Sequence, residues 1–124
     1  LFTITKTFEF SAAHQLDGLP PEHQCARLHG HNYRVTVAFT AAGLTAEGWV
    51  RDYGDLSPIN LWLNETMDHR NLNDLPMFKG KQTTAEVMAM LIYRHVATRY
   101  TSVTWVEVSE TPKTTARYSW SPDA

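Results

Sequence analysis

Two stretches of alternating residues, each with a histidine at one end, constrain this chain more than any other feature. From Phe2 to His14 the even positions read Phe2, Ile4, Lys6, Phe8, Phe10, Ala12 and His14, and the odd ones read Thr3, Thr5, Thr7, Glu9, Ser11 and Ala13. Period-two alternation with one exception argues a half-buried strand. The second stretch runs from about His29 to Thr40, with His29, His31, Tyr33, Val35, Val37 and Phe39 on one face and Arg34, Thr36 and Ala38 on the other. Alternate strand residues point to the same side. His29 and His31 therefore project together, and the small Gly30 between them keeps the opposite side clear. His14 has the parity of its own strand's apolar face, so two strands deliver histidines from matching faces. Three histidines with a fourth position open make the pattern of a catalytic zinc site rather than a structural one.

The rest of the chain supplies helices and closing strands. Asp17 to Gln24 holds Gly18, Pro20 and Pro21, a loop by composition, and Ala41 to Gly54 is a second loop in which Trp49-Val50 is expected to edge the sheet. Ser57-Pro58 places a capping oxygen before a helix-starting proline, and Leu56, Ile59, Leu63 and Met67 are spaced for one apolar stripe. Asp68-His69 follows where that helix should end. Thr83-Thr-Ala-Glu86 matches a capping box for a second helix reaching about Tyr100, with Val87, Met90, Leu91, Ile92, Tyr93 and Val96 as its apolar side. Val103 to Ser109 and a last strand carrying Ala116, Tyr118 and Trp120 close the chain, with Glu110 on the parity of Val106 and Val108. An unpaired buried charge is expensive, so that carboxylate must end in water or meet a ligand's donors. The order ββααββ predicts an α+β layer, two helices on one face of a four-stranded antiparallel sheet. The open edges of such a sheet invite pairing between copies.

Composition excludes several classes. The 124 residues fit one domain, 1–124, and 43% hydrophobic with 19% charged residues is globular. A net charge of -2 with no basic block removes the footprint of a nucleic-acid binder. No apolar run approaches the ~20 residues needed to span a bilayer, and no charged-then-apolar secretory leader is present. The single cysteine forms no internal disulfide and fits a reducing cytoplasm.

Phe-Ser-Ala-Ala-His14, Cys25-x3-His29-Gly-His31-Asn-Tyr33, Met67-Asp-His-Arg-Asn-Leu-Asn73, Thr84-Ala-Glu86 and Glu110-Thr together resemble the 6-pyruvoyl-tetrahydropterin synthase family. Within the family the pattern looks most like the carboxy-forming branch of queuosine biosynthesis. The resemblance covers nearly the whole chain and implies the tunnelling fold, in which subunits join their sheets into barrels that stack, often as hexamers. It implies Zn2+ on His14, His29 and His31, Cys25 as the catalytic cysteine, Asp68 and His69 as its partner acid and histidine, and Glu110 as the carboxylate anchoring a pterin ring. The implied substrate is 7,8-dihydroneopterin triphosphate, giving 6-carboxy-tetrahydropterin, acetaldehyde and triphosphate. Three residues between Cys25 and His29 match the carboxy-forming branch, whereas mammalian pyruvoyl-forming enzymes carry an insertion there. A further branch has a glutamate in place of the cysteine, but Glu22 is out of register with that substitution. Thr83 stands where the family usually has proline, and Arg27, Lys79 and Lys81 are the candidates for binding triphosphate. A pyruvoyl-forming enzyme and a non-catalytic zinc or pterin binding module are the competing readings.

Overall fold

The computed structural model describes residues 1–122. Strands β1 (Phe2–His14) and β2 (His29–Ala41) pair antiparallel along their whole length. Helix α1 (Ser57–Thr66), the two-residue strand β3 (Arg70–Asn71) and helix α2 (Ala85–Ala97) follow, and β4 (Val103–Thr111) and β5 (Thr114–Tyr118) complete the chain. The sheet order is β3-β1-β2-β4-β5. The predicted α+β layer holds, with one strand added: β3 runs parallel to β1, pairing Arg70 with Ala12 and Asn71 with Ala13. The expected edge piece at Trp49-Val50 is not a strand. Thr45 N–H donates to Trp49 O and Gly48 takes a positive φ, so the chain turns there instead of extending.

The alternation read from the sequence is the core. Phe8, Phe10, Tyr33, Val35, Val37 and Phe39 form one buried cluster with Val106 and Val108. The stripe Leu56, Ile59, Leu63 and Met67 covers it as spaced, each residue buried. The buried side of α2 differs from expectation: Ala85, Met88, Ala89, Ile92 and Val96 are inside, while Val87, Leu91 and Tyr93 are only partly buried. The last strand ends at Tyr118, and Trp120 lies beyond it, exposed.

Both helix starts depart from the predicted caps. Ser57 is the first residue of α1 rather than its cap. The preceding turn Tyr53–Leu56 carries the entry, with Asp52 Oδ1 accepting from Gly54 N–H at 2.9 Å. For α2 the cap is Thr84, whose hydroxyl accepts from Val87 N–H, and not Thr83. Thr83 is fully buried, and its carbonyl accepts from His14. Replacing Thr84 with alanine is expected to cost about 1 kcal/mol in chemical denaturation, the usual value of a lost threonine cap, without changing metal uptake.

Candidate metal centre

The β1–β2 register decides the site. Phe10 lies opposite Tyr33, Ala12 opposite His31, and His14 opposite His29. A slip of one residue would send the histidines to the other face. Their rings meet edge to face, with centroids 4.6 Å apart for His14–His29, 5.1 Å for His14–His31 and 4.9 Å for His29–His31. One ligating atom from each lies within 4.8 Å of the others.

Backbone carbonyls orient two of the rings. His14 Nδ1 donates to Thr83 O and His29 Nδ1 donates to Arg27 O, both at 2.7 Å. A carbonyl only accepts, so in the neutral rings Nε2 carries the lone pair. His14 Nε2 and His31 Nε2 are buried without a hydrogen-bond partner. Orphaned buried nitrogens are costly and uncommon. A cation shared by the three imidazoles would satisfy them, and carbonyl-held Nδ1–H groups are the usual outer support of metal-binding histidines. The residues present fit a metal ion.

Glu110 reaches the same place. Its Oε2 lies 3.1 Å from His31 Nε2 and 3.9 Å from His14 Nε2, distances at which it pairs with either ring when that ring is protonated. Burial nevertheless dominates and holds both histidines below their ordinary 6.5, the Thr83 carbonyl and Glu110 opposing it at His14 and Glu110 at His31. Tyr33, whose hydroxyl is buried without a partner, is pushed upward by burial first and Glu110 second. As pH falls through 6.5, the unfolded chain takes up protons at these positions before the folded one does. Stability therefore falls with pH. His95, held low by burial, where it stacks on Trp62 at 3.8 Å, acts with the same sign. The metal-free protein is expected to show a thermal midpoint that declines from about pH 7.5 to about pH 5.5. A flat profile would show that these histidines take up protons alike in the folded and unfolded chains.

Cys25 is half-buried in the short turn Gln24–Ala26. His23 Nδ1 accepts from Cys25 N–H at 3.1 Å, and Cys25 O accepts from Leu16 N–H at 2.8 Å, which ties this turn to the chain just past His14. Asn73 brackets the same segment, its amide accepting from Gln15 N–H and donating to Gln15 O, each at 2.9 Å. Sequence reasoning assigned His23 and Asn73 no role. The signals were present, one two residues from the cysteine and the other closing the Met67–Asn73 motif.

Asp68 and His69 sit at the β1 edge. Asp68 Oδ1 accepts from Ser11 N–H at 3.0 Å and Oδ2 lies 2.9 Å from His69 Nδ1. The Ser11 amide first, then His69, holds the Asp68 carboxyl below its usual range. His69 has φ 58°, rare for a residue with a side chain, and its own N–H is anchored to Ser11 O. Its imidazole is 81% exposed. Among the described residues, neither Asp68 nor His69 bonds to Cys25. A cleft of about 490 Å³ is nonetheless lined by both His31 and His69, with Ala13, Gly30 and Asn32 between them. A second, of about 480 Å³, holds His31, Asn32, Arg34 and Glu110.

The basic candidates are spread out. The Arg27 side chain is exposed, and the residue's contact with the site is its carbonyl. Lys79 and Lys81 line a separate pocket with Gln15, Asp17 and Gln82.

The α+β sheet brings three histidines together at paired strand ends, in an arrangement that could hold a metal ion. The 6-pyruvoyl tetrahydropterin synthase family model matches residues 3–120, and the chain belongs to that family. It is 34% identical to a probable 6-carboxy-5,6,7,8-tetrahydropterin synthase of Halobacterium salinarum, covering 90% of this chain and 82% of that one. It is 32% identical to the 6-carboxy-5,6,7,8-tetrahydropterin synthase of Synechocystis, covering 95% and 93%. Among solved structures, the 6-pyruvoyl tetrahydropterin synthase of Caenorhabditis elegans superposes with a TM-score of 0.86 at 28% identity over 97% of this chain and 96% of that one. No helix among the described residues is long and apolar enough to cross a membrane.

Proposed function

We propose that the protein is a Zn2+-dependent 6-carboxy-tetrahydropterin synthase, a lyase converting 7,8-dihydroneopterin triphosphate and one water to 6-carboxy-5,6,7,8-tetrahydropterin, acetaldehyde and triphosphate. The observation that carries the reading is the convergence of His14, His29 and His31 with buried, partnerless nitrogens in a chain of this family. These three residues would hold the metal, which when bound supplies Lewis-acid polarisation of the substrate's side-chain oxygens. Cys25 would move protons on the side-chain carbons as thiolate. His69, oriented through Nδ1 by Asp68, would exchange a proton with a side-chain hydroxyl through Nε2. Glu110 would accept from the N–H donors of the pterin ring, a charge-assisted pairing.

The exposure of His69 suits a site completed between subunits, and the reading includes a homo-oligomer, a hexamer of sheets closed into barrels. The carboxy product is a precursor for queuosine or another 7-deazaguanine compound, and the lone free cysteine suits a cytoplasmic enzyme. The C. elegans likeness makes 6-pyruvoyl-tetrahydropterin the alternative product. Mass spectrometry after incubating zinc-loaded protein with 7,8-dihydroneopterin triphosphate separates them. A 6-carboxy product with acetaldehyde is expected. A 6-pyruvoyl product would overturn the branch, and no turnover by a metal-loaded oligomer would favour a binding module.

A further inference from the structure

The turn that carries Cys25 is bonded on both sides of its thiol. Cys25 O accepts from Leu16 N–H at 2.8 Å, two residues past His14, and Arg27 O accepts from His29 Nδ1 at 2.7 Å. Those bonds hold the carbonyl side of Cys25 against the segments that bear the histidines. Its amide side is held by a side chain, with Cys25 N–H donating to His23 Nδ1 at 3.1 Å. His23 is itself anchored. Its backbone is extended, with φ −70° and ψ 130°, its N–H donates to Pro20 O at 2.9 Å, and its carbonyl accepts from Ala26 N–H at 3.0 Å. Pro20 and Pro21 fix two φ angles just before it. Short helical turns are usually capped by Ser, Thr, Asp or Asn, and here an imidazole does that work. A ring nitrogen that accepts carries no proton, so in neutral His23 the proton sits on Nε2, the reverse of His14 and His29.

We propose that His23 is a positioning residue for Cys25: its Nδ1 fixes the Cys25 amide and so, with Leu16 on the carbonyl, sets where the thiol stands beside the paired ends of β1 and β2. The inference rests on the proposed function and deepens it, adding a residue that acts on the reaction through Cys25. With both peptide groups that flank its Cα bonded, the half-buried Cys25 keeps only the rotation of its side chain. Displacing a reacting group by even about 1 Å costs rate, which is what loss of the His23 bond would allow.

Three substitutions separate the bond from the ring. His23→Asn keeps an acceptor where Nδ1 stands, His23→Gln moves its polar atoms to the place of Nε2, and His23→Ala removes both. His23 is exposed, so all three variants are expected to fold. The chain has one cysteine, so alkylation by iodoacetamide, followed by mass spectrometry, reports on Cys25 alone. In zinc-loaded protein, His23→Ala and His23→Gln should lower kcat for 7,8-dihydroneopterin triphosphate about 10- to 100-fold, with KM within about twofold of wild type and zinc content unchanged. Cys25 should alkylate about fivefold faster in both, the change that a lost cap of ordinary strength makes in the population of the open turn. His23→Asn should keep wild-type values in both assays. Wild-type kcat and alkylation rate in His23→Ala, or an asparagine variant no better than the glutamine variant, would overturn the proposal. Absence of turnover in wild-type protein would overturn the proposed function, while the alkylation rates still decide for or against His23 as the residue that holds Cys25.

Discussion

Cys25→Ala is expected to reduce turnover of 7,8-dihydroneopterin triphosphate by about 10²- to 10⁴-fold, the usual contribution of a positioned base, while zinc content stays at the wild-type level. The separation of the two readouts follows from the structure. Cys25 is held through its backbone, by His23 Nδ1 on its N–H and Leu16 on its carbonyl, so truncating the thiol leaves the turn intact. The three histidines are fixed independently by strand register and by the carbonyls of Thr83 and Arg27. Full activity in Cys25→Ala would remove the thiol from the mechanism. Lost zinc would show instead that Cys25 supports the metal site.

His29→Ala should have the opposite signature. Removing a hydrogen-bond partner of a metal-binding histidine costs about 10- to 100-fold in affinity, so removing the ligand itself should cost more than about 100-fold. His29 is the informative choice among the three. It is partly exposed, whereas His14 is 2% exposed and its loss would also strand the Thr83 carbonyl and open a hole in the packing. The expected result is a folded protein, by unchanged far-ultraviolet circular dichroism, that retains little zinc after dialysis and no longer turns over substrate. Unchanged zinc content would take His29 out of the ligand set.

What the sequence made legible was what a two-residue period can carry. Parity alone placed His14, His29, His31 and Glu110 on the apolar face of their strands, and the register brings them together there. The stripe from Leu56 to Met67 was equally readable because helical spacing left one solution. Positions whose local pattern allowed two solutions were not. Thr83 and Thr84 both satisfy a cap, and only the tertiary bond from His14 to the Thr83 carbonyl decides between them. The strand Arg70–Asn71 is too short for periodicity and exists because the Asp68 and His69 contacts to Ser11 dock that segment on the β1 edge. The approach of Glu110 to two histidines depends on side-chain reach across three strands, which no linear spacing encodes.

The central claim is that His14, His29 and His31 bind one metal ion through Nε2, and a crystal of zinc-loaded protein measured on either side of the zinc absorption edge tests it most directly. One anomalous peak per chain is expected within bonding distance of all three Nε2 atoms, with the Nδ1–H groups of His14 and His29 still on the carbonyls of Thr83 and Arg27. A peak elsewhere, or full zinc loading with none at these histidines, would contradict it.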